Sequence, residues 1–205
     1  MNLALAFSSG WGAGINSYLV VLVLGIARNV TGSSDIPHVL GTWPVLLLAG
    51  ALYLVEFVAD KIPYVDSAWD AVSTFIRPVV GAVVGVLLAG HASSLDQAIN
   101  GVVGGGSALA SHSVKMGGRL AINTSPEPFS NWLASLAEDG GVLGVTTLAV
   151  SHPHVAAAVA GVLLASGILG LTLLFKLVRA GWRRWKAHEG ERPLFSWQQG
   201  PQAPR

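Results

Sequence analysis

Apolar positions in this chain come in long blocks, not in the two-residue alternation of half-buried strands, and the charged positions collect at a few places between them. Stretches free of Asp, Glu, Lys and Arg cover residues 1–27, 36–55, 78–95, 97–114 and 140–175. About 20 apolar residues carry a helix across the hydrocarbon core of a bilayer, so the blocks predict six spans near 8–30, 42–60, 71–91, 98–122, 129–150 and 154–176. The fourth is rich in Gly, Ser and Ala and admits Lys115 and Arg119. The fifth is long enough only with Glu138 and Asp139 inside it. A four-span variant treats residues 97–150 as re-entrant or peripheral. Within the first block, the run Ser8-Ser9-Gly10-Trp11-Gly12-Ala13-Gly14 predicts a broken helix, because glycine weakens a helix and admits close backbone approach.

Composition supports the pattern. Of 205 residues 52% are hydrophobic, there are 12 basic and 11 acidic side chains, and cysteine is absent. Soluble domains carry roughly a quarter of their residues as charges. This balance therefore excludes a nucleic-acid-binding domain, a disordered chain and a disulfide scaffold. The start lacks the basic segment and the small-residue cleavage site of a secretory signal, so it reads as a first span.

Basic residues near span ends set orientation. Lys176, Arg179, Arg183, Arg184, Lys186 and Arg192 follow the last span, which predicts a cytoplasmic C-terminus. With six spans the N-terminus is cytoplasmic too, and residues 31–41, 91–96 and 151–153 lie outside. The domain expected is residues 1–178, followed by a basic tail, 179–205, whose Trp182 and Trp185 sit beside the headgroups and whose Gly-, Gln- and Pro-rich end is disordered.

The chain also matches itself. At an offset of 94, Gly12, Ser17, Val20, Ala27 and Asn29 fall on Gly106, Ser111, Val114, Ala121 and Asn123. Residues 85–89, Gly-Val-Leu-Leu-Ala, recur at 161–165, and Leu54 and Asp60 fall on Leu133 and Asp139. The expectation is two three-helix repeats, about 1–94 and 95–178. An odd number of spans inverts the second relative to the first, which is a recurrent transporter plan.

Candidate chemistry gathers where the second span ends. Glu56 and Asp60 share a helix face one turn apart. Asp66 is placed to N-cap the third helix and Asp70 to lie in its first turn, as structural caps. Ser111 and His112 precede Lys115 and Arg119, like charges four residues apart that need Glu56, Asp60, Glu138 or Asp139 nearby. Glu138-Asp139-Gly140-Gly141 predicts another helix break. His38, His91, His152 and His154 show no metal-ligand spacing, so no metal or cofactor is expected. Phosphate-loop and hydrolase motifs are missing from the sequence.

The run Asp60-Lys61-Ile62-Pro63-Tyr64-Val65-Asp66 with Trp69-Asp70, the opening Gly12-Ala13-Gly14-Ile15-Asn16-Ser17, and Gly104-Gly105-Gly106-Ser107 resemble a bacterial integral membrane family, domain of unknown function 4126. The resemblance spans roughly residues 3–178. It implies a small polytopic inner-membrane protein and supplies no activity, substrate or catalytic residue.

The reading is an all-α polytopic bundle that transports or channels a small solute or ion through Glu56, Asp60, Lys115, Arg119, Glu138 and Asp139. Small residues such as Gly81 and Gly85 are expected to pack the two units together; membrane lipids and a second copy docked through the same glycines are the expected partners, and nucleic acid is not. A structural or assembly subunit of a larger membrane complex is the alternative, and an enzyme acting on lipid comes third.

Overall fold

The computed structural model describes residues 2–123 and 128–190. Among them it forms six helices: α1 (Leu3–Thr31), α2 (Trp43–Ala59), α3 (Pro63–Leu88), α4 (Ser94–Asn123), α5 (Pro128–Ser151) and α6 (Pro153–Gly190), with a single 3-10 turn at His38–Gly41. Proline opens α3, α5 and α6, where its missing N–H costs nothing. Gly32 closes α1 at φ 67°, a left-handed conformation that suits glycine, and its N–H reaches the Arg28 carbonyl. All-α architecture is thus confirmed. Leu3–Thr31, Tyr64–Leu88, Phe129–Ser151 and Pro153–Lys186 are long and apolar enough to cross a membrane, while the apolar Trp43–Ala59 is shorter.

The chain divides into two compact units, Met1–Ile168 and Leu169–Arg205. In the second, the described residues continue α6 to Gly190, so the basic segment is helical where a tail is expected from residue 179. It exposes Phe175, Trp182 and Trp185 beside Lys176, Arg179, Arg183 and Arg184. The expected disordered end, 191–205, lies outside the described residues.

The first unit departs from the expected path at α1. Asn16 takes an extended conformation, φ −149° and ψ 95°, in the middle of this helix. The break thus falls two residues beyond the glycine-rich run. The two arms, 3–15 and 17–31, fold back on each other. A Cβ on Gly12 would stand 2.8 Å from Val20 Cγ2, whereas an unbroken helix separates residues eight apart by about 12 Å. Asn2 and Arg28 line one cavity together with Asp35 and His91. An unbroken helix would hold these two residues about 39 Å apart.

α1 is therefore a helical hairpin, and neither arm has the roughly 20 residues needed to cross. The N-terminus shares an end of this unit with residues 32–41 and 89–93, and Thr31 lines a cavity with Ser151 at the same end. The expected first crossing, and an N-terminus opposite to residues 31–41 and 91–96, are both overturned. Broken backbone at membrane depth is tolerated only inside protein. Asn16 is accordingly 1% exposed.

Small residues bring the hairpin, α3 and α4 together. A Cβ on Gly81 would collide with Ala108 and the Gly104 carbonyl, and one on Gly85 with the Asn100 carbonyl. Gly10 and Gly14 of the hairpin likewise leave no room for a Cβ against Gly104 and Ala108. The Gly81/Gly85 pair is thus used within the chain, on α4, and is not left for a contact between copies. Packing of the two halves is also unequal. α3 lies against both α1 and α4, whereas its expected counterpart α6 does not pack closely on α1. Likewise Asp60 ends α2 while Asp139 lies in the middle of α5.

Candidate functional site

The hairpin tip exposes backbone groups that a continuous helix would satisfy, and other helices supply their partners. Among the groups of the first arm, the Trp11 carbonyl accepts from Ser111 Oγ at 2.7 Å, the Gly14 carbonyl from Arg77 at 3.3 Å, and the Ile15 carbonyl from Lys115 Nζ at 3.1 Å. Cations therefore sit at the negative end of the first arm's dipole. The second arm begins with Asn16 as its cap, Oδ1 accepting from the Leu19 N–H at 3.0 Å. Asn16 Nδ2 donates to Asp139 Oδ1 at 3.0 Å, placing an acid at the positive end of that arm.

From the tip a charge network runs through α2, α3, α4 and α5. Arg77, 1% exposed, pairs with Glu56 at 2.6 Å and Asp70 at 3.1 Å. Lys115 pairs with Asp60 at 2.8 Å and lies 3.6 Å from Glu138 and 3.7 Å from Glu56. Arg119 grips Glu138 with two hydrogen bonds, Nε to Oε1 at 3.0 Å and Nη2 to Oε2 at 2.5 Å. It also donates to the Asp60 carbonyl at 3.0 Å and lies 3.7 Å from Asp66. A fork of this kind fits a planar carboxylate better than a lysine does.

His112 joins the network with a fixed tautomer. Its Nδ1 is 2.7 Å from Arg77 Nη1, and arginine only donates, so Nδ1 accepts and Nε2 carries the hydrogen. Nε2 then donates to Thr74 Oγ1 at 2.9 Å, and that hydroxyl donates to the Asp70 carbonyl at 2.9 Å.

The expected residues Glu56, Asp60, Ser111, His112, Lys115, Arg119, Glu138 and Asp139 are all brought to this region. Glu138 and Asp139 reach it from an unbroken α5, not from a helix break, because Gly140 and Gly141 continue the helix. Asp66 does not cap α3. The helix begins at Pro63 after Ile62, and Asp66, buried in its first turn, accepts from Asn123 Nδ2 at 2.8 Å. Asp70 lies a turn further along, on Arg77. Sequence reasoning overlooked Arg77 itself, together with Asn16, Tyr53, whose hydroxyl donates to Asp139 Oδ2 at 3.4 Å, and Asn131, whose Oδ1 accepts from Arg119 at 3.3 Å. An arginine inside a predicted span was signal enough to find Arg77, since such a charge needs a partner.

One family model, described as a domain of unknown function (DUF4126), matches residues 3–172. The chain belongs to this family. No curated protein and no solved structure matches it. In this DUF4126 protein the matched region contains the hairpin, α2 to α5 and the whole charge network. The network holds six carboxylates, Glu56, Asp60, Asp66, Asp70, Glu138 and Asp139, against Lys61, Arg77, Lys115 and Arg119. Buried oxygens of Glu56, Asp60 and Asp66 accept no hydrogen bond among the described residues. No cluster able to hold a metal ion occurs among those residues. Lys61, between α2 and α3, stacks 3.0 Å over the Phe57 ring, and burial pushes its ammonium below the ordinary lysine range.

Proposed function

We propose that this DUF4126 protein is a secondary transporter or channel for a small solute or ion. The observation that supports this most directly is the seating of a broken helical hairpin on the buried Arg77 of α3 and Lys115 of α4 and on Asp139 of α5. Broken helices that end at the centre of a membrane bundle present dipole ends and free carbonyls to ions and substrates. Intramembrane charges are costly and are kept where they do work. An excess of carboxylates gives the network acids that can take up a proton or cation as its pairings change.

Orientation follows from the basic residues. With Lys176 to Arg192 in the cytoplasm of a bacterial inner membrane, α2 to α6 make five crossings and the hairpin enters from outside. Each state of a transport cycle would pair Lys115 and Arg119 with a different subset of Asp60, Glu56 and Glu138.

Reconstitution into liposomes with an enclosed pH dye tests the reading. Wild-type protein is expected to couple proton movement to an imposed solute or ion gradient, and Asp60→Asn to abolish the coupling while still inserting. Tight co-purifying partners with no flux would instead support the assembly-subunit reading.

A further inference from the structure

Beside the hairpin tip lies a cavity of about 260 Å³, walled by Trp11, Ile15, Val114 and Leu163 and reaching Lys115 and Glu138. We propose that this cavity binds a small organic anion with an apolar body, whose head replaces Glu138 on Arg119 and Lys115. The proposal rests on the transport reading and names its substrate class.

Three features of the site point to such a ligand. The first is the cradle. Arg119 offers Nε and Nη2 as a parallel fork and Lys115 Nζ stands 3.6 Å from the same carboxylate, so two buried cations converge on one anionic position. A fork with a second cation beside it is the arrangement that recognises carboxylate or phosphate. The second is the occupant. Glu138 is 21% exposed at its side chain, against 3% or less for Glu56, Asp60, Asp66 and Asp70. Its hydrogen bonds all go to Arg119 among the described residues. Glu138 thus fills the cradle as a tethered carboxylate that can swing aside.

The third is the wall. Apolar side chains surround the cavity, and Gly118 opens it further, since a Cβ there would meet nothing within 4 Å. The volume is below the roughly 300–1,000 Å³ of drug-sized sites, so the ligand is small. When its head displaces Glu138, a second negative charge enters a site that already has more acids than bases. A proton entering with the anion and residing on the displaced carboxylate leaves the charge of the site unchanged. The expected coupling is therefore anion–proton symport.

Titrate the full-length protein in phosphatidylcholine nanodiscs with benzoate and hexanoate, using benzylamine as the cation of matching size. Benzoate or hexanoate is expected to bind saturably. Glu138→Gln, which keeps the shape and removes the resident charge, is expected to bind at least tenfold more tightly. Gly118→Leu adds a side chain in the cavity wall where a Cβ meets nothing within 4 Å, and is expected to lose binding while the protein stays monodisperse. Preference for benzylamine, no binding of either acid, or unchanged binding in Gly118→Leu would overturn the assignment, the last even if Glu138→Gln fails to fold. Competition by added phosphatidylglycerol would assign the same cradle to a lipid headgroup, and lack of competition to a soluble acid. Proton-coupled flux of another solute without acid binding overturns this site and leaves the transport reading intact. Acid binding without any flux does the reverse.

Discussion

Asn16 and Asp139 form a bond across the break in α1: the amide donates to the carboxylate at 3.0 Å while its own oxygen caps the second arm through the Leu19 N–H. One side chain thus closes a helix and holds an acid. Asn16→Ser keeps a cap and loses the acid's donor, and Asn16→Ala loses both. Caps are worth about 0.5–2 kcal/mol. Thermal unfolding in detergent is expected to rank wild type above Asn16→Ser and Asn16→Ser above Asn16→Ala. Equal melting temperatures for the two variants would show that Asn16 Oδ1 does not act as a cap.

The hairpin makes a topological prediction that six crossings do not. The sequence has no cysteine, so each introduced one is a unique label. Cysteines at positions 2, 35 and 94 are expected to react with an impermeant maleimide from the same side, and one at Lys61 from the opposite side. Labelling of position 2 from the side opposite to 94 would restore a first crossing.

Arg77 joins Glu56 and Asp70, and removing one partner of a buried pair typically costs about 3–5 kcal/mol because the remaining charges lose their counter-ion. Arg77→Gln is expected to destabilise on that scale. Adding Glu56→Gln to it should recover part of the loss, with chemical denaturation as the measurement. An additive double variant would mean that the pair contributes nothing as a pair.

Gly85 and Gly106 separate packing from propensity. Gly85→Ala drives a methyl into the Asn100 carbonyl and is expected to lower the melting temperature sharply, whereas Gly106→Ala meets nothing within 4 Å and gains about 0.8–1.0 kcal/mol of helix propensity. The opposite order would displace the α3–α4 seam from the position described.

The helices themselves were legible because long apolar blocks leave few other structures possible in lipid. Grouping Glu56, Asp60, Lys115 and Arg119 was legible for a related reason, since each charge demanded a partner. The hairpin was not. Residues 3–31 have the length and hydropathy of a crossing, and only the extended backbone of a single residue, Asn16, reverses the path. Its partners lie at 77, 111, 115 and 139, so no local window contains the reason for the break. Arg77 was hidden by the same distance, and Asp66 was misread as a cap because its partner, Asn123, lies 57 residues away.

The hairpin also sets an order of assembly. Residues 3–31 leave the ribosome before α3 and α4, yet the donors that satisfy the carbonyls of Gly14 and Ile15 belong to Arg77 and Lys115. Until α3 and α4 have been synthesised and inserted, the tip has no partner for these groups in lipid, where an unsatisfied carbonyl costs several kcal/mol. A segment made before α3 and α4 therefore reaches its seat only after them. It must wait at the interface or in the insertion machinery, and a chain cut short before residue 115 would leave it stranded there.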